Sequence, residues 1–262
     1  MSTLEEIEFM DIQSMYFDRP ICDDRNICQS SAEDLLTVVI GAKCRDGIVL
    51  VADKKLTNVI GGKDDEGIKI IGDLAHVLMG YTGAVNMFDI FRKYVVGDVI
   101  STRVKLERYQ YDNIISTSAE LIRHFNKSIG KQNSTFEFLV VKHIPDNSEL
   151  YHIDIDGNPH LVNYKSIGIG RHIADKFCAS VAFHEIAMKD FIKYAYLAIA
   201  YMEQCCPGIG VGLGDDGIPT VKYMYRNKVD DEEAPPKDIN DCKQFADKLR
   251  SLKESFDAMA KI

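Results

Sequence analysis

Residues Leu35–Gly83 read LLTVVIGAKCRDGIVLVADKKLTNVIGGKDDEGIKIIGDLAHVLMGYTG, and this stretch decides the fold. Two short apolar runs, Thr37–Ala42 and Gly47–Ala52, lie on either side of the turn sequence KCRDG. β-branched runs that are separated by a few residues containing Asp-Gly are typical of a β-hairpin. The sequence therefore predicts two antiparallel strands at the start of the folded domain.

Three polar side chains occur at equal intervals along this stretch. Thr37 begins the first strand, Asp53 ends the second, and Lys69 opens a third apolar run, Ile68–Ile71. If adjacent strands bring them together at one end of a sheet, they form a nucleophile site, in which the amine polarises the hydroxyl and the carboxylate orients the amine. The alternative is a strand threonine with two charged residues that face water.

The sequence TVVIGAKCRDGIVLVADKKLT, which begins at Thr37, resembles the opening of the proteasome core-particle subunits, members of the N-terminal-nucleophile hydrolase superfamily. The resemblance implies that self-cleavage at Leu36–Thr37 frees the amine of Thr37, which then acts as a catalytic threonine. It also implies that Asp53 and Lys69 are the catalytic partners of Thr37.

The later sequence GYTG, Gly80–Gly83, is similar to a glycine turn of the family whose backbone N–H binds the oxyanion. This similarity implies that Gly80 is the oxyanion donor. Counted back from Gly80 at the usual family spacing, the lysine position falls on Glu66 or Gly67, and only a shortened hairpin keeps Lys69 in place. Two alternatives therefore stay open: either Lys69 fills the family lysine position or no residue does.

Several positions differ from the pattern of the catalytic family members. Ile169 stands where the family has a serine, and Ser166 lies three residues earlier. The sequence Cys205–Pro207 stands where arginine, aspartate and serine are expected. Such outer residues hold the geometry on which catalysis depends. Leu36 also replaces a glycine, and a bulky residue hinders the strained turn that self-cleavage needs.

Three functions follow from this balance of matches and differences. The first is a threonine endopeptidase that acts on peptides or unfolded proteins. The second is a non-catalytic structural subunit of a proteasome-like ring, in which the partners are other proteasome-like subunits. The third is a stand-alone N-terminal-nucleophile amidohydrolase or ligase that acts on small amides.

The remaining chain alternates between strand and helix patterns. Apolar residues at helical spacing predict helices over 85–96, 112–129, 171–188, 190–204 and 240–261. Strands are predicted over 134–144, 149–155, 160–170, 208–214 and 218–226. Periodicity alone indicates a layered α+β domain. The resemblance implies the topology, a four-layer αββα sandwich with two antiparallel sheets between helix layers.

This pattern divides the chain into four segments. Residues 1–36 form a leader or propeptide-like extension, and residues 37–226 form the proteasome-like αββα domain. The charged, proline-bearing residues 227–239 form an acidic linker, and residues 240–262 carry an amphipathic C-terminal helix.

Composition excludes several classes of function. The formal net charge of −9 argues against a nucleic-acid partner, because phosphate binding needs clustered Lys and Arg. No apolar run is long enough for a membrane helix, and the acidic N-terminus lacks the features of a signal peptide. The seven cysteines are irregularly spaced, which predicts reduced thiols in the cytoplasm. The histidine spacing predicts no metal site, and no cofactor is expected.

Overall fold

The structure is a computed structural model. It describes residues 37–56, 65–66, 69–74, 77–83, 115–116, 118–120, 122–123, 136–142, 148–179, 181–205, 210–213, 217–225, 232–233, 244 and 247. The predicted leader 1–36 and the predicted helix 85–96 lie outside these residues.

The described chain forms twelve strands and two continuous helices. The strands are β1 Val38–Lys43, β2 Gly47–Ala52, β3 Lys55–Leu56, β4 Asp65–Glu66, β5 Ile70–Leu74, β6 Val77–Thr82, β7 Glu137–Lys142, β8 Glu149–Ile153, β9 Pro159–Val162, β10 Tyr164–Gly168, β11 Thr220–Tyr225 and β12 Glu232–Glu233. The helices are α1 Arg171–Cys178 and α2 Met188–Cys205.

The predicted opening hairpin is confirmed and lies inside the first sheet. β1 and β2 pair antiparallel, and the Cys44 N–H closes the turn by donating to the Gly47 carbonyl at 2.7 Å. The first sheet has the strand order β10-β1-β2-β11-β12, so the hairpin has neighbours on both sides. This position explains why every residue of β2 is buried.

The second sheet is an antiparallel meander of consecutive strands, in the order β5-β6-β7-β8-β9. Its inner face packs on the first sheet through an apolar layer to which Val39, Leu50, Leu78, Leu139 and Leu150 contribute. Alternate residues of a strand point to opposite faces, so each strand also supplies residues to an outer face. The two sheets therefore share one core.

Helices cover the outer faces of both sheets. On the second sheet, Ile115, Ala119 and Ile122 belong to the described helical residues within the predicted helix 112–129, and they pack in the outer cluster with Phe138. On the first sheet, α1 contacts β1 and β10, and α2 contacts β1 and β2. This arrangement confirms the predicted α+β sandwich with two antiparallel sheets between helix layers.

The run 160–170, which was expected to be a single strand, is divided between the two sheets. It separates at Asn163 into β9, which pairs with β8, and β10, which pairs with β1. The Asn163 carbonyl accepts a hydrogen bond from the Lys43 N–H at 2.8 Å. The chain therefore crosses between sheets at this residue, which periodicity does not reveal.

The helix predicted over 171–188 is too long. α1 ends at Cys178, and α2 begins at Met188. The turn of the opening hairpin causes the new start, because the Asp46 carboxylate accepts from the Met188 N–H at 2.8 Å and the Arg45 N–H donates to the Ile186 carbonyl at 3.0 Å. A carboxylate that accepts from a first-turn N–H stabilises a helix N-terminus.

Two further segments differ from the expected elements. Residues 210–213, within the predicted strand 208–214, do not form a strand. Glu232–Glu233, within the predicted linker, pair with Lys222 and Tyr223 of β11. In the C-terminal segment, Gln244 and Asp247 are helical and exposed. None of the helices described is long and apolar enough to cross a membrane.

The inter-sheet layer should dominate the stability of the domain. Leu139 is fully buried between the sheets, whereas Leu161 is 63 % exposed on β9. Replacing Leu139 by Ala removes apolar contacts and leaves a cavity, so Leu139→Ala should lower the free energy of unfolding by about 2–5 kcal/mol. The matched variant Leu161→Ala should change it by less than about 0.5 kcal/mol. Denaturant unfolding measures both, and equal effects would contradict this packing.

Candidate active site

The three predicted catalytic residues lie together, and both sheets contribute to the group. Thr37 immediately precedes β1, and Asp53 follows β2 in the same sheet. Lys69 precedes β5, which belongs to the second sheet. The expectation that one sheet carries all three residues is therefore wrong. The Tyr81 N–H of β6 donates to the Lys69 carbonyl at 3.1 Å, so the backbone of Lys69 is held by its own sheet.

Asp53 is the centre of the hydrogen-bond network. Its Oδ1 accepts from the Thr37 hydroxyl at 2.8 Å and from the Val38 N–H at 2.9 Å. Its Oδ2 accepts from the Lys69 Nζ at 2.5 Å. The hydroxyl thus donates to the carboxylate, and the ammonium binds the opposite oxygen of the same carboxylate.

Lys69 has a second acceptor, the Lys55 carbonyl, at 2.6 Å from its Nζ. The Val38 N–H and the Lys55 carbonyl are the site groups that the sequence did not predict. Both are backbone groups, so no residue type marks them. The hydrogen bonds therefore place Lys69 against Asp53 and Lys55, and they place Thr37 against Asp53.

Burial controls the electrostatics of the pair. Thr37 and Lys69 are each 3 % exposed, and Asp53 is fully buried. Loss of hydration raises the pKa of the Asp53 carboxyl and lowers the pKa of the Lys69 amine, and the attraction between the two groups opposes both shifts. Both shifts bring the neutral forms closer in free energy to the ion pair, so the Lys69 ammonium releases its proton more readily than an exposed lysine does.

Gly80 lies inside β6, away from the end of the strand. It pairs with Ile70 on one side and with Leu139 on the other. A Cβ at this position would lie 2.6 Å from the Cγ1 of Val39, so the lack of a side chain lets the two sheets approach closely. The role of Gly80 as an oxyanion donor stays a prediction.

Ser166 is buried, but its hydroxyl is directed to α1. It lies within hydrogen-bond distance of the Asp175 carboxylate and, at 3.2 Å, of the Arg171 carbonyl. The Tyr164 hydroxyl donates to the same Asp175 oxygen at 2.9 Å. Ser166 therefore links β10 to α1. Ile169, in the turn that follows β10, has no polar group to donate in the place of the family serine.

The described residues contain no group of three or more His, Cys, Asp or Glu side chains that could hold a metal ion. The hydrogen-bonded group at the site consists of the Thr37 hydroxyl, the Asp53 carboxylate and the Lys69 amine. Such a group can activate a nucleophilic hydroxyl by withdrawing its proton.

Comparison with known families agrees with the fold. The family described as "Proteasome subunit" matches residues 37–208, which is more than half of the chain. The match begins at Thr37, the first residue of the hydrogen-bonded group. No curated protein matches the chain.

The buried ion pair should be expensive to break from either side. Lys69→Met leaves the Asp53 carboxylate buried without its cation, so it should lower the free energy of unfolding by about 3–5 kcal/mol. The double variant Asp53→Asn/Lys69→Met removes both charges and should cost less than the sum of the two single changes.

The matched control is Lys193→Met. The Lys193 Nζ lies 3.3 Å from the Asp190 Oδ1, and both side chains are more than 40 % exposed, so the cost should be at most about 1 kcal/mol. Chemical denaturation measures all four variants. Additive costs for Asp53→Asn and Lys69→Met would contradict the pairing.

Proposed function

The chain belongs to the proteasome subunit family, and on that premise we propose that it works in protein degradation as a subunit of a proteasome-type ring. We further propose that Thr37 is the nucleophile of a threonine endopeptidase after cleavage of the Leu36–Thr37 bond. The observation that supports this activity best is the hydrogen-bond chain from Thr37 through Asp53 to Lys69.

In the first step, the Thr37 hydroxyl oxygen attacks the Leu36 carbonyl carbon and the C–N bond of the Leu36–Thr37 amide breaks. The proton lost by the hydroxyl is delivered by the base to the Thr37 nitrogen, so the amide becomes an ester. Water then hydrolyses the ester, which releases the leader and frees the α-amine of Thr37. The Asp53 carboxylate orients the hydroxyl through the 2.8 Å hydrogen bond. Lys69, as a neutral amine, is available as the base that accepts the hydroxyl proton.

In the second step, Thr37 Oγ attacks the carbonyl carbon of a peptide bond, the C–N bond breaks, and an acyl-enzyme ester forms. The amine fragment leaves after it takes up the proton that the base accepted from the hydroxyl. The freed α-amine or a water accepts the hydroxyl proton, Lys69 lowers the pKa of the hydroxyl, and Asp53 holds Lys69. Gly80 would supply the N–H that binds the oxyanion. A second water hydrolyses the ester and restores the threonine. The substrates would be peptides or unfolded proteins, and the partners would be other subunits of the ring.

A non-catalytic ring subunit is the second candidate. Two observations favour it: Thr37 is only 3 % exposed, and Ser166 is hydrogen-bonded to α1. In that function the buried Asp53–Lys69 pair would join the two sheets without taking part in chemistry, and the leader would be retained.

The mature N-terminus distinguishes these functions. In the assembled particle, the intact mass of the wild-type chain should show the loss of the first 36 residues. Thr37→Ala should keep its full length and lower peptide hydrolysis by at least about 10³-fold, because the nucleophile is absent. Thr37→Ser keeps the hydroxyl and should still be cleaved.

The control for these variants is Thr220→Ala, which changes a partly buried strand threonine and should leave both cleavage and hydrolysis intact. A wild-type chain of full length in the assembled particle would contradict the peptidase and support the non-catalytic subunit.

Self-cleavage should depend on pH through Lys69. Before cleavage Thr37 has no free amine, so the amine that titrates at the site is that of Lys69. The pKa of Lys69 is lowered from the ordinary value of 10.5. The pH–rate profile should therefore have a limb on which the cleavage rate rises with pH through an apparent pKa below 10.5, and cleavage should be lost as the pH falls through that apparent pKa. The measurement is the rate of cleavage at Leu36–Thr37 as a function of pH. Persistence of the limb in Lys69→Met would contradict this assignment, and the exposed control Lys189→Met should keep it.

A further inference from the structure

The position of the Lys69 ammonium depends on a backbone group outside its own sheet. Its two acceptors are the Asp53 carboxylate and the Lys55 carbonyl, at 2.5 and 2.6 Å. Lys55 begins the short strand β3, two residues after Asp53. A carbonyl at the start of a two-residue strand needs support from elsewhere if it is to fix the ammonium.

That support comes from the segment Gly210–Leu213. The Gly212 carbonyl accepts from the Lys54 N–H at 3.0 Å and from the Lys55 N–H at 3.4 Å. Both flanking residues, Val211 and Leu213, are buried, so the segment is anchored in the core. The backbone around Lys55 is thus held on one side by Gly212 and on the other by the Lys69 ammonium.

Gly212 has no room for a side chain. A Cβ at this position would lie 2.7 Å from the Oε1 of Glu203, which belongs to α2, and 3.0 Å from the Cδ of Lys55. The first distance is shorter than real Cβ contacts and the second is tight, so a larger residue must displace the ends of the Glu203 and Lys55 side chains or shift the Gly212 backbone. A shift of the Gly212 backbone would move the carbonyl that accepts from the Lys54 and Lys55 N–H groups.

We propose that Gly212 is a positioning residue for Lys69. Its carbonyl and its lack of a side chain hold the Lys55 carbonyl where it accepts from the Lys69 ammonium. This inference rests on the proposed function, in which Lys69 is the group that activates Thr37.

The first test measures stability and needs no activity. Unfolding constants are measured for Gly212→Val, Lys69→Met and the double variant, with Gly212→Ala as a milder change if Gly212→Val folds poorly. If Gly212 positions Lys69, replacing Lys69 costs less once Gly212 is changed. The effects on the unfolding constant should then be non-additive by about threefold or more.

The matched control pairs Gly212→Val with Lys193→Met. Lys193 lies ten residues before Glu203 on α2, which corresponds to about 15 Å along a helix, so these two effects should be additive. Additivity of Gly212→Val with Lys69→Met would overturn the proposal. Equal coupling with both lysines would also overturn it, because the effect would then be a general loss of stability.

The second test uses the pH profile of cleavage at Leu36–Thr37. Gly212→Val should slow cleavage by about tenfold or more, since small displacements of catalytic groups are costly, and it should shift the pH limb assigned to Lys69. An unchanged rate and limb in this variant would overturn the proposal. If the wild-type chain is never cleaved, the proposed peptidase fails, and the stability coupling alone decides whether Gly212 positions Lys69.

Discussion

The buried carboxylate of Asp53 is the interaction on which the rest of the structure depends. An ion removed from water is costly unless partners surround it, and Asp53 has three: the Thr37 hydroxyl, the Val38 N–H and the Lys69 ammonium. The first two belong to the first sheet and the third belongs to the second. The site therefore exists only when the two sheets are packed in the correct position.

The packing between the sheets must be close for this contact to form. Gly41 and Gly80 both lie at the interface: a Cβ on Gly41 would lie 3.1 Å from Leu139 of the second sheet, and a Cβ on Gly80 would lie 2.6 Å from Val39 of the first sheet. Small residues at these positions let the apolar side chains of the opposite sheet interdigitate. The same close approach brings Lys69 to the Asp53 carboxylate. The packing of the core and the contacts of the site therefore both require the same short distance between the two sheets.

Two segments outside the sheets, the start of α2 and the residues around Gly212, form hydrogen bonds with the opening hairpin and with the backbone that follows it. Asp46 in the β1–β2 turn accepts from the Met188 N–H at the start of α2, and Gly212 beyond the end of α2 binds the Lys54 and Lys55 N–H groups. The helix and the segment that follows it thus connect the opening hairpin to the backbone that contacts Lys69. The chain with this architecture belongs to the proteasome subunit family.

The sequence by itself predicted the opening hairpin, the alternation of strand and helix segments, and Thr37 with Asp53 as members of one site, and it left open whether Lys69 or no residue completes that site. It could do so because strand periodicity and the Asp-Gly turn act between near neighbours, and because the family pattern records the spacing. It did not determine the division of residues 160–170 between two sheets or the end of α1 at Cys178. Only the tertiary structure decided these features, and also the placement of Lys69 on the opposite sheet and its contact with the Lys55 carbonyl. The physical reason is that each depends on a backbone or side-chain group distant in sequence, which no local pattern encodes.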